Sequence, residues 1–432
     1  MEGQIIAEWD RLRKAVMHRP GIEVFFGLLD PGGSLYERAF SQNAALSEHE
    51  HIADLLSNDA GVKVEMLCES IAKRAKSGRR RRMLESAASS SSIDFIGTAS
   101  EVKSARKEFS KNLSSYDENY LINIILLMPR LILRKSRGIG SIHLSVTERD
   151  PLSNLYFMRD QQAVTDKGLF ISRMAKPQRR NETRLTSMLW EMMGLPISYT
   201  AKAPATIEGG DFFPMGKFAL LAIGDRTNAN GVLQMMRHGI AVPELAVVTQ
   251  PMNPFIPKDY KDPMLDIHLD TYLNVAGEGL AVGSETLLKL AKVDVYERRE
   301  GSYKKTPEKK TLWDYLKSKS FEIITLTMLE QMSYASNFLC LGERKILAAE
   351  SGAIIKKTVS RISKLAEEAP RHYGALNLQM RRDYTMLSQK GNAFPSRKKM
   401  SEYGIDYIVA DISNLTGGYG GAHCMTAAIN RN

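Results

Sequence analysis

The feature that most limits what this chain can fold into is a pattern that sets in after Pro151 and recurs to the end: a strand, a glycine-bearing turn, a second strand, then a helix. Short apolar stretches bounded by Gly, Asp, Lys or Glu read as hairpins. Leu155 to Ala163, a turn at Asp166-Lys167-Gly168 and Leu169 to Arg173 form the first, followed by a helix from the N-cap Asn181 to Met193 that stops at Gly194. Phe212-Phe213, Met215-Gly216-Lys217 and Phe218 to Ile223 form the second, with a helix from Thr227 to His238 ending at Gly239. His268 to Val275, Gly277-Glu278-Gly279 and Leu280 to Val282 form the third, with a helix from Ser284 to Lys292. Asn337 to Leu341, Gly342-Glu343-Arg344 and Lys345 to Ala349 form the fourth. Hairpins returning roughly every 50–70 residues predict an α/β protein of repeated ββαβ units. Closed in a ring, such units bring their first strands together, each able to deliver one polar residue to a shared site.

Upstream, Ala15-Val16-Met17-His18 reads as a strand closed by Arg19-Pro20-Gly21, Ala44 to Leu56 as a helix, and Val62 to Leu67 as a half-buried strand. Residues 1–68 are therefore expected to open the repeat body. Over 69–147 strands fade, Lys and Arg dominate and Ser89 to Ser92 form a small low-complexity patch, so a helical insertion domain is expected there. Residues 148–432 complete the body. An assembly role is the reading left for the helical appendage, which allows a homo-oligomer.

Cys68, Cys340 and Cys424 show no C-x-x-C spacing, which argues against a disulfide framework or a zinc site and fits a reducing compartment; no metal or cofactor is expected. Met1-Glu2-Gly3-Gln4 lacks the order of a signal peptide, and Leu121 to Leu133 is interrupted by Asn123, Pro129 and Arg130, too soon to span a bilayer. A soluble cytoplasmic protein without a membrane partner is expected. The net charge of +10 raises nucleic acid as a partner. Much of the excess lies between Lys73 and Arg82, and the run Arg79 to Arg82 has no interleaved aromatics for base stacking. It reads as a solvated helix face, so no nucleic acid is expected.

The hairpins lead with Arg159-Asp160, Glu208-Gly209-Gly210-Asp211 and His268-Leu269-Asp270. Burying an ionised carboxylate costs several kcal/mol unless it is paired or hydrogen-bonded. Turn capping explains any one of these residues; together, at equivalent repeat positions, they point to chemistry. A further cysteine, Cys424, arrives on the loop Gly417-Gly418-Tyr419-Gly420-Gly421, where glycine permits positive φ and a close approach of ligand to backbone. Several carboxylates beside one thiol suit a planar cation. A guanidinium offers a fork of N–H donors that carboxylates accept in pairs. Held so, its central carbon faces the thiol, and an imidazole can protonate the departing nitrogen and then activate water.

The motifs Asn154-Leu155-Tyr156-Phe157-Met158-Arg159-Asp160, Glu208-Gly209-Gly210-Asp211, His268-Leu269-Asp270 and Gly421-Ala422-His423-Cys424-Met425-Thr426 resemble, in order and spacing, those of the arginine deiminases within the guanidino-group-modifying family. The resemblance covers Val16 to Pro20, Gly61 to Leu67 and most of the chain from Pro151. It implies a five-bladed pseudo-symmetric α/β propeller with a helical insertion. It also implies hydrolysis of L-arginine to L-citrulline and ammonia through an S-alkylthiouronium adduct. Cys424 would be the nucleophile, His268 the acid and base, Glu208 its partner, and Asp160 and Asp270 the guanidinium grips. Asn154, Arg179 and Arg226 match positions that bind the substrate carboxylate, and Phe157 and Gly421 match substrate-binding positions. Asp211 is expected to be scaffold. Tyr419 stands where some members carry an arginine. The competing readings are a deiminase of agmatine or a modified arginine, an amidinotransferase, and a basic nucleic-acid-binding protein on an inactive scaffold. His423 is expected to point away from the chemistry, His18, His49, His51, His143, His238 and His372 to be surface or packing residues, and Cys68 and Cys340 to be core.

Overall fold

A computed structural model describes residues 2–135, 142–148, 150–260, 262, 265, 268–391, 393–396 and 398–432. The chain is α/β. Five sheets share one plan, in which an antiparallel pair is joined by a third strand. In four of them the pair is a hairpin and the third strand returns parallel to its second strand after a helical crossover, the ββαβ unit expected from the sequence. These sheets are built on the hairpins Gln162–Thr165 and Gly168–Ile171, Phe212–Met215 and Phe218–Ile223, Leu273–Gly277 and Leu280–Ser284, and Leu339–Gly342 and Lys345–Ala349. The fifth is made from both ends of the chain: Leu12–Met17 pairs parallel with Lys63–Met66 and antiparallel with Ala427–Arg431.

Side-chain alternation explains why these strands are apolar on both faces. Neighbouring residues on a strand point to opposite faces. In each sheet the two faces meet different partners. Phe212 and Leu221 pack with Ala163 and Phe170 of the preceding sheet, whereas Phe213 and Leu220 pack with Leu273, Val275 and Ala281 of the next. Ala276 and Val282 continue onto Ile346 and Ala348, while Leu339 and Leu347 join Leu12, Ala15 and Met17. Val16 and Ile429 then meet Leu169 and Ile171. Each sheet thus shares a core cluster with the next, and the last with the first.

Two expectations need correction, and one element is added. The polar leaders do not start the strands. Asp160 lies in turns before Gln162, and Gly209–Asp211 and Leu269–Thr271 are short 3-10 turns before theirs. Local hydrogen bonds such as Thr271 Oγ1 to the His268 carbonyl, 2.6 Å, hold those turns. The segment read as a helical insertion also contains a three-stranded sheet, Asp94–Ile96, Pro129–Lys135 and Ile142–Glu148. Its helices do not form a separate core, because Leu67, Ile71, Leu84, Leu121 and Ile125 pack in one cluster with Leu185, Leu189 and Trp190. A further pair of strands, Lys292–Arg299 and Ser302–Thr311, extends the second hairpin's sheet; its charged, exposed alternation hid it in the sequence.

Within the arginine run, Arg79, Arg80 and Arg82 are exposed, as expected. Arg81 instead binds Glu85 at 2.7 Å, Glu118 at 3.1 Å and the Leu113 carbonyl at 3.0 Å, tying three parts of the segment together. No helix of the described residues is long and apolar enough to cross a membrane. The side chain of His143 lies outside the described residues.

Candidate active site

Cys424, His268, Asp160, Asn154, Phe157, Arg179 and Arg226 line one small cavity, while Glu208 and Asp270 lie just behind its wall, in contact with His268 and Cys424. Backbone contacts draw its walls together: the Arg159 N–H donates to the Cys424 carbonyl at 2.9 Å, and the Gly209 N–H donates to the Asp160 carbonyl at 3.1 Å. A Cβ on Gly209 would overlap the carbonyls of Gln162 and Arg159, and one on Gly210 would sit 3.0 Å from both Asp160 Oδ1 and the His268 ring. The two glycines between Glu208 and Asp211 are thus what lets these turns touch.

His268 is buried, with Nε2 2.9 Å from Glu208 Oε2 and Nδ1 3.7 Å from Asp160 Oδ1. Burial opposes its charge, yet Asp160 and Glu208 outweigh that and raise its pKa to about 9. Glu208 is pushed up by burial, but Arg226 and His268 prevail and hold it low. Asp211, expected as scaffold, accepts from Thr227 Oγ1 at 2.6 Å and from the Leu269 N–H at 3.2 Å, pinning the His268 turn. The Cys424 thiol lies 3.4 Å from Asp270 Oδ2. Burial, then Asp270 and Asp160, push this thiol well above its ordinary range.

The unpartnered polar atoms in and beside the pocket fall into two sets. Among the described residues Asp160 Oδ1 and Asp270 Oδ1 accept no hydrogen bond, and Arg226 Nε and one of its terminal nitrogens donate none. Buried polar groups are normally satisfied. Open acceptors on the Cys424 side and open donors on Arg226 describe a ligand with a flat cationic end and an anionic end. Asp160, Glu208 and His268 also have ligand atoms within 4.8 Å of one another, a spacing a metal ion could use. The Arg179 and Arg226 guanidiniums, 3.8 and 3.7 Å from Glu208, supply fixed positive charge that disfavours a metal cation there.

A family model described as arginine deiminase matches residues 33–431. The chain belongs to the arginine deiminase family. It is 25% identical to an arginine deiminase of Halobacterium salinarum over 99% of this chain and 96% of that one. An arginine deiminase of Staphylococcus epidermidis is 27% identical over 54% of this chain and 58% of its own length. Among solved structures, an amidinotransferase of the saxitoxin pathway from Microseira wollei superposes with a TM-score of 0.51 at 12% identity, over 99% of this chain and 97% of that one. The N-terminal domain of ArgZ, a cyanobacterial arginine dihydrolase, bound to product, does so with a TM-score of 0.51 at 10% identity, over 98% of each. These two share the α/β fold.

In this member of the arginine deiminase family several residues stand elsewhere than expected. Arg179 reaches the cavity, but its guanidinium is committed, to Asp160 at 2.8 Å and to Glu182 at 2.9 Å, because a fully buried cation needs carboxylates around it. Gly421 spends its N–H on Asn337 Oδ1, 2.9 Å, rather than facing the cavity. The loop glycines have ordinary φ; the positive φ of 78° falls on Tyr419, which lines the cavity with its ring edge-on to Tyr334. The glycines serve close packing: a Cβ on Gly418 would collide with the Tyr156 hydroxyl. His423 turns toward the site, its Nδ1 2.8 Å from Asp270 Oδ2 and its ring stacked on Phe213. Tight turns, not extended chain, carry it and Cys424, so adjacency did not force the two apart. Cys340 is buried as expected, but Cys68 is only half-buried; His49 is buried, and His18 is buried between Glu23 and Cys68.

Two contributors were missed. Glu8 is buried and accepts from Arg431 at 2.8 Å and Arg159 at 3.1 Å, with its Oε1 3.6 Å from His423 Nε2. Asn337 organises the cysteine turn: its Oδ1 accepts from the N–H groups of Gly421 and Cys424, and its Nδ2 donates to the Cys424 sulfur at 3.1 Å and the Asp270 carbonyl at 3.1 Å. Asn337 leads the fourth hairpin, the position held by acids and a histidine in the others; searching for charge alone passed over it. Asn337→Ala leaves buried donors unpaired, each costing about 1–3 kcal/mol. The expected result is a lower urea midpoint together with a drop of about 100-fold in kcat/KM. Unchanged activity with normal stability would remove Asn337 from the site.

Proposed function

We propose that this chain hydrolyses L-arginine to L-citrulline and ammonia. The observation that carries the reading is the split of open hydrogen-bonding atoms around one cavity: a carboxylate acceptor on its Asp160 wall with a second on Asp270 beside Cys424, and donors on Arg226. Asp160 and Asp270 take the substrate guanidinium, and Arg226 with Asn154 takes its carboxylate. Arg179 positions Asp160. With the cavity empty of a cation, the carboxylates keep Cys424 protonated; a guanidinium seated between them offsets that charge and favours the thiolate. The sulfur then bonds to the guanidinium carbon, and His268 gives its proton to the departing nitrogen, which leaves as ammonia. The same imidazole, now neutral, takes a proton from water as the water oxygen bonds to the thiouronium carbon. The carbon–sulfur bond breaks, and citrulline leaves with Cys424 restored. The five sheets read as blades of one propeller, with the turns before their first strands meeting at its axis. Residues 69–147 read as an insertion between the first blade and the rest.

Arg226→Ala separates arginine from substrates without a carboxylate. Loss of a charge-assisted pair of about 2–3 kcal/mol predicts a roughly 30- to 150-fold fall in kcat/KM for arginine, carried mostly by KM. A colorimetric ureido assay with arginine, agmatine and methylated arginine is the direct check. Agmatine turned over as well as arginine by the unmodified protein would refute the carboxylate assignment.

A further inference from the structure

A second cysteine sits in a polar setting that the reaction does not use. The parallel pairing of Leu12–Met17 with Lys63–Met66 matches Met17 to Met66, so the residues that follow, His18 on one strand and Leu67-Cys68 on the other, emerge side by side. Cys68 is the second residue of the helix Leu67–Arg74, whose N-cap Met66 supplies no side-chain cap. Its sulfur lies 3.6 Å from His18 Nδ1, and His18 Nε2 lies 3.1 Å from Glu23 Oε1. His18 and Glu23 are buried, whereas Cys68 is half-exposed.

We propose that Cys68 is a second reactive thiol, a modification site for hydroperoxides and other soft electrophiles, in which His18 is the cationic partner of the sulfur and Glu23 positions the imidazole. A carboxylate, an imidazole and a thiol in line are the parts that activate a cysteine, and a helix N-terminus adds partial positive charge. Glu23 Oε2 is buried and accepts no hydrogen bond among the described residues, so that carboxylate needs a charged partner, and His18 is the group in contact with it. The other charged and titratable groups around the cluster do not compete for that role. Burial, followed by the charges of His18 and Arg19, takes His49 down to about 3, so it stays neutral. Arg19 is paired with Glu50 at 3.1 Å and with Glu69. Burial opposes a charge on His18, but Cys68 and Glu23 together raise it to about 10.

With a hydroperoxide the step is balanced. The Cys68 sulfur attacks the terminal peroxide oxygen, the S–O bond forms as the O–O bond breaks, and the sulfur loses two electrons to the peroxide. The departing alkoxide or hydroxide takes the proton from His18 Nδ1, leaving a sulfenic acid and an alcohol or water.

The test is iodoacetamide alkylation of the folded full chain between pH 6 and 8, with each thiol followed by peptide mass mapping. An ordinary thiol of pKa 8.5 reacts about 75-fold faster at pH 8 than at pH 6. Cys68 is expected to change less than about threefold, and Glu23→Gln to slow it about tenfold at pH 6. Equimolar hydrogen peroxide followed by dimedone is expected to mark Cys68; Cys68→Ser loses the mark and keeps citrulline formation. An ordinary 75-fold climb at Cys68, or labelling as slow as that of the buried Cys340, overturns the proposal. Both readings come from the unmodified protein, so they hold even if Glu23→Gln fails to fold.

Discussion

Cys424→Ala is expected to abolish citrulline formation, by about 10⁴-fold or more in kcat, while arginine still binds. No other described thiol can substitute: Cys424 is the cysteine in the cavity, and the acids that would grip the substrate, Asp160 and Asp270, are not activated nucleophiles. The variant should trap arginine with an affinity at least that of the parent protein, since removing a buried thiol from beside two carboxylates costs the cation nothing. Calorimetry with arginine, run beside the ureido assay, separates the two effects. Residual turnover near the parent rate would end the covalent mechanism.

The second large effect lies with His268. His268→Gln is expected to lower kcat about 10²- to 10⁴-fold, the range general acid–base catalysis supplies. Its pH dependence has a definite sign. The imidazolium that protonates the leaving nitrogen is held by Asp160 and Glu208, so it persists below about 9 and is lost above it. Glu208 stays ionised across the neutral range because Arg226 and His268 hold it low. The profile of kcat/KM, which reports the free protein, should therefore decline as pH climbs through about 9. Glu208→Gln removes one of the negative charges that sustain the imidazolium, so the decline should move to lower pH. A limb that stays in place in Glu208→Gln would assign it to another group.

The features legible in the sequence share a local cause. Hairpins such as Phe212–Met215 with Phe218–Ile223 were legible because turn residues and apolar runs are adjacent in the chain. The cavity residues Asp160, His268 and Cys424 were legible because their motifs are short and their order is specific. The pairing of Arg179 was not legible because its partners, Asp160 and Glu182, meet it through space. His423 faces Asp270 because tight turns stand where extended chain was expected. Asn337 carries no charge, so in the sequence only its place at the head of the fourth hairpin marks it. The loop 30–38 gave no signal at all, yet Leu35 lines the cavity and the Ser34 carbonyl takes a hydrogen bond of 2.6 Å from Asn154.

By itself the amino-acid order determined the repeated unit, the set of acids, imidazole and thiol, and through them the kind of chemistry, because each depends on residues a few positions apart. Which of those groups are free to meet a ligand, and which are already bound to one another, was decided only by the tertiary structure. Burial makes every charge seek a partner, and the partner found by Arg179, His423 or Glu8 depends on which turns the five sheets bring within about 3 Å.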